Sequence, residues 1–170
     1  QTPYEGGVRT PIMFSWPNGG LDPAKRPELV SSIDLFPTVL AAAGARIPND
    51  VPGLNLLENL QKKQPIKRAG IFGESLAHDI ADIKNPEASL LFRWRIEGKW
   101  KLLLTYDGEV NRYQSTHPRT EKRPQLFDLS KDPHEKTNLA KKHPEVVADL
   151  AAKIAAWWPL KERKAITKFE

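Results

Sequence analysis

A carboxylate and an imidazole lie close together near the middle of the chain. Glu74 and His78 frame a short segment that follows a predicted buried strand at residues 69–73. Loops after the strands of an α/β sheet commonly hold ligands, and a histidine there can donate a hydrogen bond to an anionic oxygen or a sugar hydroxyl. We therefore predict that Glu74 and His78 contact a substrate. The competing interpretation is that His78 packs in its loop and pairs with Asp79.

Basic side chains alternate with apolar ones along residues 91–96, the pattern of a half-buried strand. Arg93 and Arg95 lie on one face of this strand and can bind an anionic glycan, so Arg93 is a third candidate for substrate binding. The alternative is a solvated basic face. The same two interpretations apply to Lys99 and Lys101.

The remaining residue types exclude several chemistries. The chain has no cysteine, so it contains no disulfide, no thiolate metal site and no cysteine nucleophile. His134 and His143 lack the spacing of a helical metal pair and are interpreted as surface or capping residues. These absences leave no candidate for a thiolate-dependent reaction or for a histidine-pair metal site.

A Gly-Gly turn precedes the first apolar segment. Tyr4, Glu5 and Arg9 flank Gly6 and Gly7, whose missing side chains permit unusual backbone angles. No helix is predicted after the turn, so we interpret the two glycines as a conformational device rather than a phosphate cradle. Arg9 is expected to be a buried ion-pair partner that fixes the turn.

Hydrophobic periodicity divides the chain into two halves. Residues 8–16 are apolar on both faces, which predicts an interior strand of a large sheet. A domain rarely opens on such a turn and strand, so we expect the chain to be the later part of a longer protein. A helix is predicted over residues 34–43, with Asp34 as N-cap and Gly44 ending it. Its predicted core stripe consists of Leu35, Val39, Leu40 and Ala43.

The second half has the period of short antiparallel strands. Strands are predicted at residues 91–96, 100–104 and 125–129, and a final amphipathic helix runs from residue 144 to about 158. The fold class is therefore α/β, becoming α+β in the second half. Residues 1–75 would end a large mixed α/β sheet, and residues 76–170 would form a small antiparallel sheet with a C-terminal helix packed on it.

Length, composition and charge limit the possible partners. The 170 residues, 39% of them hydrophobic, suffice for one domain or for one domain and part of another. The net charge of +5 fits either an anionic partner or an evenly basic surface. No nucleic-acid motif and no apolar run of about 20 residues occurs, so we predict neither a nucleic-acid partner nor a membrane segment. Self-association through exposed sheet surfaces is expected.

Four stretches, in order, resemble the C-terminal part of the type I sulfatases of the alkaline-phosphatase superfamily. They are Tyr4-Glu5-Gly6-Gly7-Val8-Arg9-Thr10-Pro11, residues 32–44 around Asp34-Leu35-Phe36-Pro37-Thr38, Gly98-Lys99-Trp100-Lys101-Leu102, and residues 126–139 around Asp132-Pro133-His134-Glu135.

The resemblance implies hydrolysis of sulfate esters, or of sulfamates in some members, by a complete enzyme. Such enzymes use a formylglycine made from a Cys/Ser-x-Pro-x-Arg motif and one calcium or magnesium ion held by Asp-Asp and Asp-Asn pairs. This chain contains none of those motifs, so the resemblance implies no catalytic residue and no metal ligand within it, and we expect it to be inactive alone. The structural residues near the active site would be Tyr4, Glu5, Gly6, Gly7 and Arg9. The substrate would be a sulfated carbohydrate or an aryl sulfate.

Two further interpretations stay open. The chain can be a non-catalytic basic module that binds sulfated polyanionic glycans, or an oligomerising structural domain. The resemblance alone suggests a periplasmic, extracellular or lysosomal location.

Overall fold

The structure, a computed structural model, describes residues 2–77, 80–106 and 121–167. The chain divides into two compact units, a sheet unit of Gln1–Thr10 with Phe72–Glu170 and a helical unit of Pro11–Ile71. The division near residue 72 lies close to the predicted boundary after residue 75, but the first ten residues belong to the sheet unit. The assignment of residues 1–75 to a catalytic domain stays a prediction.

The described residues contain four strands and four α-helices. These are β1 (Ile71–Leu76), β2 (Leu90–Glu97), β3 (Trp100–Thr105), β4 (Gln125–Asp128), α1 (Glu5–Val8), α2 (Leu35–Ala42), α3 (Leu57–Gln61) and α4 (Pro144–Trp157). Two 3-10 turns, Ser32–Asp34 and Pro86–Ser89, precede α2 and β2. Within the described ranges no helix is long and apolar enough to cross a bilayer.

The four strands form one antiparallel sheet in the order β1-β2-β3-β4. Trp94 of β2 pairs with Leu103 of β3, and Leu102 of β3 pairs with Leu126 of β4. Gly98 connects β2 to β3 with a φ of 57°, a left-handed angle that a tight hairpin turn requires and glycine adopts without strain. The predicted small antiparallel sheet is confirmed.

The core of the sheet unit lies between the sheet and α4. Val147, Leu150 and Ile154 form the buried face of this helix, as its 3.6-residue periodicity predicts. They pack with side chains of the sheet and its flanking segments in one buried cluster, which includes Leu90, Leu102, Leu104, Tyr106, Leu126 and Ala140. Trp157, the last residue of α4, is 41% exposed and stacks on Phe72.

The predicted interior strand at residues 8–16 is wrong. The helical turn α1 takes up Glu5–Val8, and residues 9–16 have no regular structure, with Met13 87% exposed. A strand needs a neighbour to pair its backbone N–H and C=O groups, and no described strand lies beside this segment.

The strand predicted at residues 69–73 is shifted and belongs to a different sheet. It is observed as β1, an edge strand of the small sheet rather than part of a large one. Gly73 permits this pairing, since a Cβ there would lie 2.3 Å from the Trp94 ring of β2. The pattern of apolar residues indicated a strand but not which sheet it joins.

The helical unit buries a polar face of α2. Asp34 is fully buried, and its carboxylate accepts hydrogen bonds from the backbone N–H of Ser31 (2.8 Å) and of Leu54 (2.8 Å) and from the Arg68 guanidinium. The Thr38 hydroxyl, one helical turn on, accepts from the backbone N–H of Leu56 (3.0 Å). Asp34 precedes α2 as predicted, but its carboxylate joins distant segments instead of capping the first turn of the helix.

The predicted core stripe of α2 is therefore wrong. Leu35 is 38% exposed, Val39 is 58% exposed and Ala43 is also exposed, while Leu40 is half-buried. Periodicity identified the apolar face of the helix correctly. It did not reveal that the hydrogen bonds of Asp34 and Thr38 turn the opposite face inward.

We expect Asp34→Ala to destabilise the helical unit strongly. The substitution leaves two partly buried backbone N–H groups without an acceptor and the Arg68 guanidinium, whose side chain is 11% exposed, without its counter-ion. Removal of one partner of a buried charge pair costs roughly 3–5 kcal/mol. Urea unfolding should show this loss. The matched control, Asp22→Ala, breaks only the exposed Lys63 pair and should leave the transition unchanged; equal effects of the two substitutions would contradict the prediction.

Candidate functional site

A fully buried lysine joins three distant segments of the sheet unit. Lys101 of β3 is 0% exposed, and its Nζ donates to Glu5 Oε1 (3.0 Å) and to the Pro3 carbonyl (2.8 Å). Glu135, in the loop after β4, places Oε1 2.9 Å from the same Nζ and accepts a hydrogen bond from the backbone N–H of Glu5. This Lys101 cluster thus connects α1, β3 and the loop after β4.

Charge explains why the Lys101 cluster has this composition. A buried ammonium group is tolerated only with close counter-charges and satisfied protons. Two carboxylates and one carbonyl supply these, and the N–H of Glu5 offsets part of the negative excess. The interpretation of Lys101 as part of a solvated basic face is therefore wrong. The sequence around a strand lysine does not reveal that a distant turn brings carboxylates to it.

The Gly-Gly turn is fixed from the side of Tyr4. Its hydroxyl donates to Gln125 Oε1 (2.9 Å), and its ring meets Phe127 edge-on at 6.2 Å. Burial raises the pKa of Tyr4, partly opposed by the hydrogen bond with Gln125. Gly7 is needed for close approach, because a Cβ there would lie 2.5 Å from the Thr2 carbonyl oxygen. Around Gly6 the space is open.

Two predictions about this turn are wrong. Gly6 and Gly7 lie within the helical turn α1 and do not adopt positive φ, because hydrogen bonds from Gly7 and Val8 to the Tyr4 carbonyl close a turn there. Arg9, expected in a buried ion pair, is exposed at the end of α1. Glu5 is the buried charge of the turn instead.

The predicted substrate-binding residues are only partly described. Glu74 lies on β1, where partial burial raises the pKa of its carboxyl and the positive charge of Arg93 opposes the rise. His78 and Asp79 lie outside the described residues. Contact of Glu74 and His78 with a substrate therefore stays a prediction.

Arg93 and Arg95 are buried rather than solvated. Arg93 is 3% exposed; its Nε donates to the Tyr106 hydroxyl (2.7 Å) and its Nη1 to the Ile154 carbonyl (3.2 Å) at the end of α4. Arg95 is 6% exposed and pairs with Glu97. Both arginines lie on the sheet face that α4 covers, so the predicted solvated basic face is wrong. Binding of substrate by Arg93 stays a prediction.

A shallow groove of about 470 Å³ lies beside the start of β3. Lys99 Nζ is 2.9 Å from Asp128 Oδ2 and 4.6 Å from the centre of the Trp100 ring, which packs against His143. A hydrogen bond from the Ser130 hydroxyl, and then the Lys99 ammonium, lower the pKa of Asp128 to about 2. His143 precedes α4 without capping it, and His134 is exposed as predicted.

The donor set does not fit the metal or the nucleophile that the resemblance implies. In the parts of the chain that the structure describes, no three His, Cys, Asp or Glu side chains converge to hold a metal ion. A formylglycine cannot arise from a cysteine, because the chain has none. We derive no reaction step through either group.

Comparison with known proteins places the chain in a family. The family model described as "N-sulphoglucosamine sulphohydrolase, C-terminal" matches residues 2–158. An N-acetylgalactosamine-6-O-sulfatase of Bacteroides thetaiotaomicron is 32% identical over 87% of this chain and 27% of its own length. Arylsulfatase A of Bos taurus is 34% identical over 87% of this chain and 29% of its own length. The chain belongs to the sulfatase family and corresponds to its C-terminal region.

Solved structures agree on the fold. The sulfatase-class protein yidJ of Bacteroides fragilis superimposes with a TM-score of 0.61 at 21% identity, covering 84% of this chain and 28% of that one. This chain therefore spans less than a third of the length of the relatives that it matches.

We expect Lys101→Met to destabilise the sheet unit far more than Lys99→Met. Without the Lys101 ammonium, Glu5 and Glu135 remain buried with no cation, at a cost of roughly 3–5 kcal/mol. Lys99, whose side chain is 47% exposed, loses only a partly solvated pair. Thermal unfolding of both variants checks this. A transition for Lys101→Met as high as that for Lys99→Met would show that the cluster does not hold the three segments together.

Asp128 should make stability dependent on pH in acid. Its pKa in the folded protein, about 2, is below the ordinary value of 3.8. The ionised group therefore stabilises the fold above about pH 4, and this contribution disappears as the pH falls towards 2. Asp128→Asn should lower the unfolding temperature at neutral pH, with a difference from wild type that shrinks between about pH 4 and 2. Ser130→Ala should reproduce part of the effect, whereas a difference independent of pH would contradict it.

Proposed function

We propose that these residues form the C-terminal part of a sulfuric ester hydrolase whose substrate is a sulfated carbohydrate. The match of the sulfatase family model to residues 2–158 carries this proposal. That model and the Bacteroides thetaiotaomicron relative are both named for sulfated amino sugars, which favours a sugar over the aryl sulfate named for arylsulfatase A.

In this proposal the chain supplies scaffold and one wall of the substrate pocket, and the chemistry belongs to the complete enzyme. Three of the four stretches that resemble sulfatases meet at the Lys101 ammonium: the Tyr4–Gly7 turn, the Gly98–Leu102 segment and the loop with Glu135. The formylglycine nucleophile and a calcium or magnesium ion would be contributed outside these residues.

We propose that Glu74 and His78 line the substrate pocket. Glu74 lies on the edge strand β1, and His78 comes two residues after that strand in the sequence. Although Glu74 is exposed, desolvation raises the pKa of its carboxyl, which a sugar hydroxyl can hydrogen-bond. Arg93, which is buried, would act on the pocket through its charge near Glu74.

The alternative of a non-catalytic module that binds sulfated glycans has less support. In that alternative Arg93 and Arg95 would bind the glycan, and both guanidinium groups are buried and engaged within the sheet unit.

The chain alone should release no sulfate, and a chimera should. The chimera joins these residues to the portion of the Bacteroides thetaiotaomicron sulfatase that precedes its matched region. We expect hydrolysis of 6-O-sulfated N-acetylgalactosamine by the chimera, with kcat/KM lowered about tenfold or more by His78→Ala, because loss of one hydrogen bond to a charged group costs about 1.5–3 kcal/mol. Ion chromatography of released sulfate measures both.

His134→Ala is the matched control, since it removes an exposed imidazole from the same unit. It should leave kcat/KM unchanged. Turnover by the isolated chain, or equal effects of the two substitutions, would contradict the proposal.

A further inference from the structure

The groove beside the start of β3, here named the Trp100 groove, combines apolar surface with polar and charged side chains. Trp100 and Leu139 supply apolar surface, and Thr137 and His143 add groups that can form hydrogen bonds. Its volume of about 470 Å³ is within the range of small-molecule sites. This combination suits a sugar, because a sugar presents apolar C–H faces together with a rim of hydroxyl groups.

The carboxylates of the Trp100 groove already have partners within the chain. Asp128 Oδ2 lies 2.9 Å from Lys99 Nζ, and the Ser130 hydroxyl donates to the other oxygen of the same carboxylate. Asp132 Oδ2 accepts a hydrogen bond from the backbone N–H of Thr137 at 2.8 Å. Both acidic groups are therefore engaged, and the lining does not favour a cationic ligand.

Positive charge without a counter-ion surrounds the same groove. Glu135, the third carboxylate between residues 128 and 143, is buried against Lys101. Four exposed lysines of this stretch form no ion pair with any described residue, namely Lys131, Lys136, Lys141 and Lys142. Lys131 lines the Trp100 groove together with Lys99. Clustered cationic side chains raise the local concentration of an anionic ligand, so the groove favours an anion.

We propose that the Trp100 groove binds a sulfated residue of an oligosaccharide, with the sulfate group beside Lys131 and Lys99. A sulfate ester is ionised at neutral pH, and an ammonium group pairs with its oxygens as a compact point charge. The choice of a sulfated sugar rests on the proposed function, whereas the unpaired positive charge does not depend on it. Neither Glu74 nor Arg93 lines this groove, so it adds residues to those already proposed to contact substrate.

Isothermal titration calorimetry of the 170-residue chain tests this binding without an enzyme assay. The probe is a hexasaccharide of alternating uronic acid and 6-O-sulfated N-acetylgalactosamine, and the reference is the same hexasaccharide without sulfate. We expect the sulfated probe to bind about tenfold more tightly, because sulfate supplies the charge-assisted contacts. Lys131→Glu should weaken its binding about fivefold or more, because an attractive contact becomes a repulsive one.

Lys141→Glu is the matched control for Lys131→Glu. Lys141 is exposed in the same stretch but does not line the groove, so its substitution should change the affinity by less than about twofold. Thermal unfolding of the Lys131→Glu variant should match wild type, since this exposed lysine has no ion pair among the described residues. Equal losses of affinity in the two variants would indicate a diffuse basic surface and overturn the proposal.

The remaining outcomes each decide against the sulfated sugar. No binding of the sulfated hexasaccharide, or equally tight binding of the unsulfated reference, would overturn the proposal. Displacement of the probe by an equal concentration of inorganic sulfate would show a site for the ion alone. Equally tight binding of single-stranded DNA of the same charge would show that the groove does not recognise a sugar.

The outcomes for the Trp100 groove and for catalysis are separable. A chain that binds the sulfated hexasaccharide through Lys131, in a chimera that releases no sulfate, would preserve the binding inference while the proposed function fails. An active chimera whose affinity for the hexasaccharide is indifferent to Lys131→Glu would do the reverse.

Discussion

The ammonium group of Lys101 organises the sheet unit because it is buried and cannot remain so without partners. Glu5 reaches it from α1, Glu135 from the loop after β4, and the Pro3 carbonyl completes its hydrogen bonds. Pro3 and Glu5 on one side, and Glu135 on the other, lie far from Lys101 in sequence, so both segments must fold back to the start of β3. Removal of the ammonium would leave both carboxylates buried without a cation, so the Lys101 cluster ties the first residues of the chain to the sheet.

The helical unit depends on a second buried charge in a comparable way. Asp34 collects Ser31, Leu54 and Arg68 around one carboxylate and so fixes the rotation of α2. In the sheet unit, burial of charge accompanies burial of apolar side chains beneath α4. In the helical unit the polar contacts take the inner side of the helix, and the apolar side is left facing outward. The clusters around Lys101 and Asp34 thus influence which apolar surfaces are buried within each unit.

This division of roles fits a chain that corresponds to the C-terminal region of the sulfatase family. The residues that resemble the family are mainly structural here: a turn, a hairpin and a loop that converge on Lys101, and a helix held by Asp34. The proposed substrate contacts are Glu74 on β1, His78 two residues after this strand in sequence, and Arg93 on β2. In the described residues no three His, Cys, Asp or Glu side chains converge to hold a metal ion, so the stretches that resemble the family shape the scaffold rather than a reaction centre.

The sequence by itself determined the hydrophobic periodicity of the strands and of α4, and the family to which the chain belongs. Alternation predicted β2, β3 and β4, Pro144 and the following stripe predicted α4, and four ordered stretches predicted a sulfatase C-terminal region. Only the tertiary structure decided which polar residues are buried. Lys101, Arg93 and Asp34 look solvent-facing or local in sequence, because their partners are brought to them by distant segments. The same long-range contacts assigned β1 to the small sheet and turned the apolar face of α2 outward, since periodicity specifies a face but not what covers it.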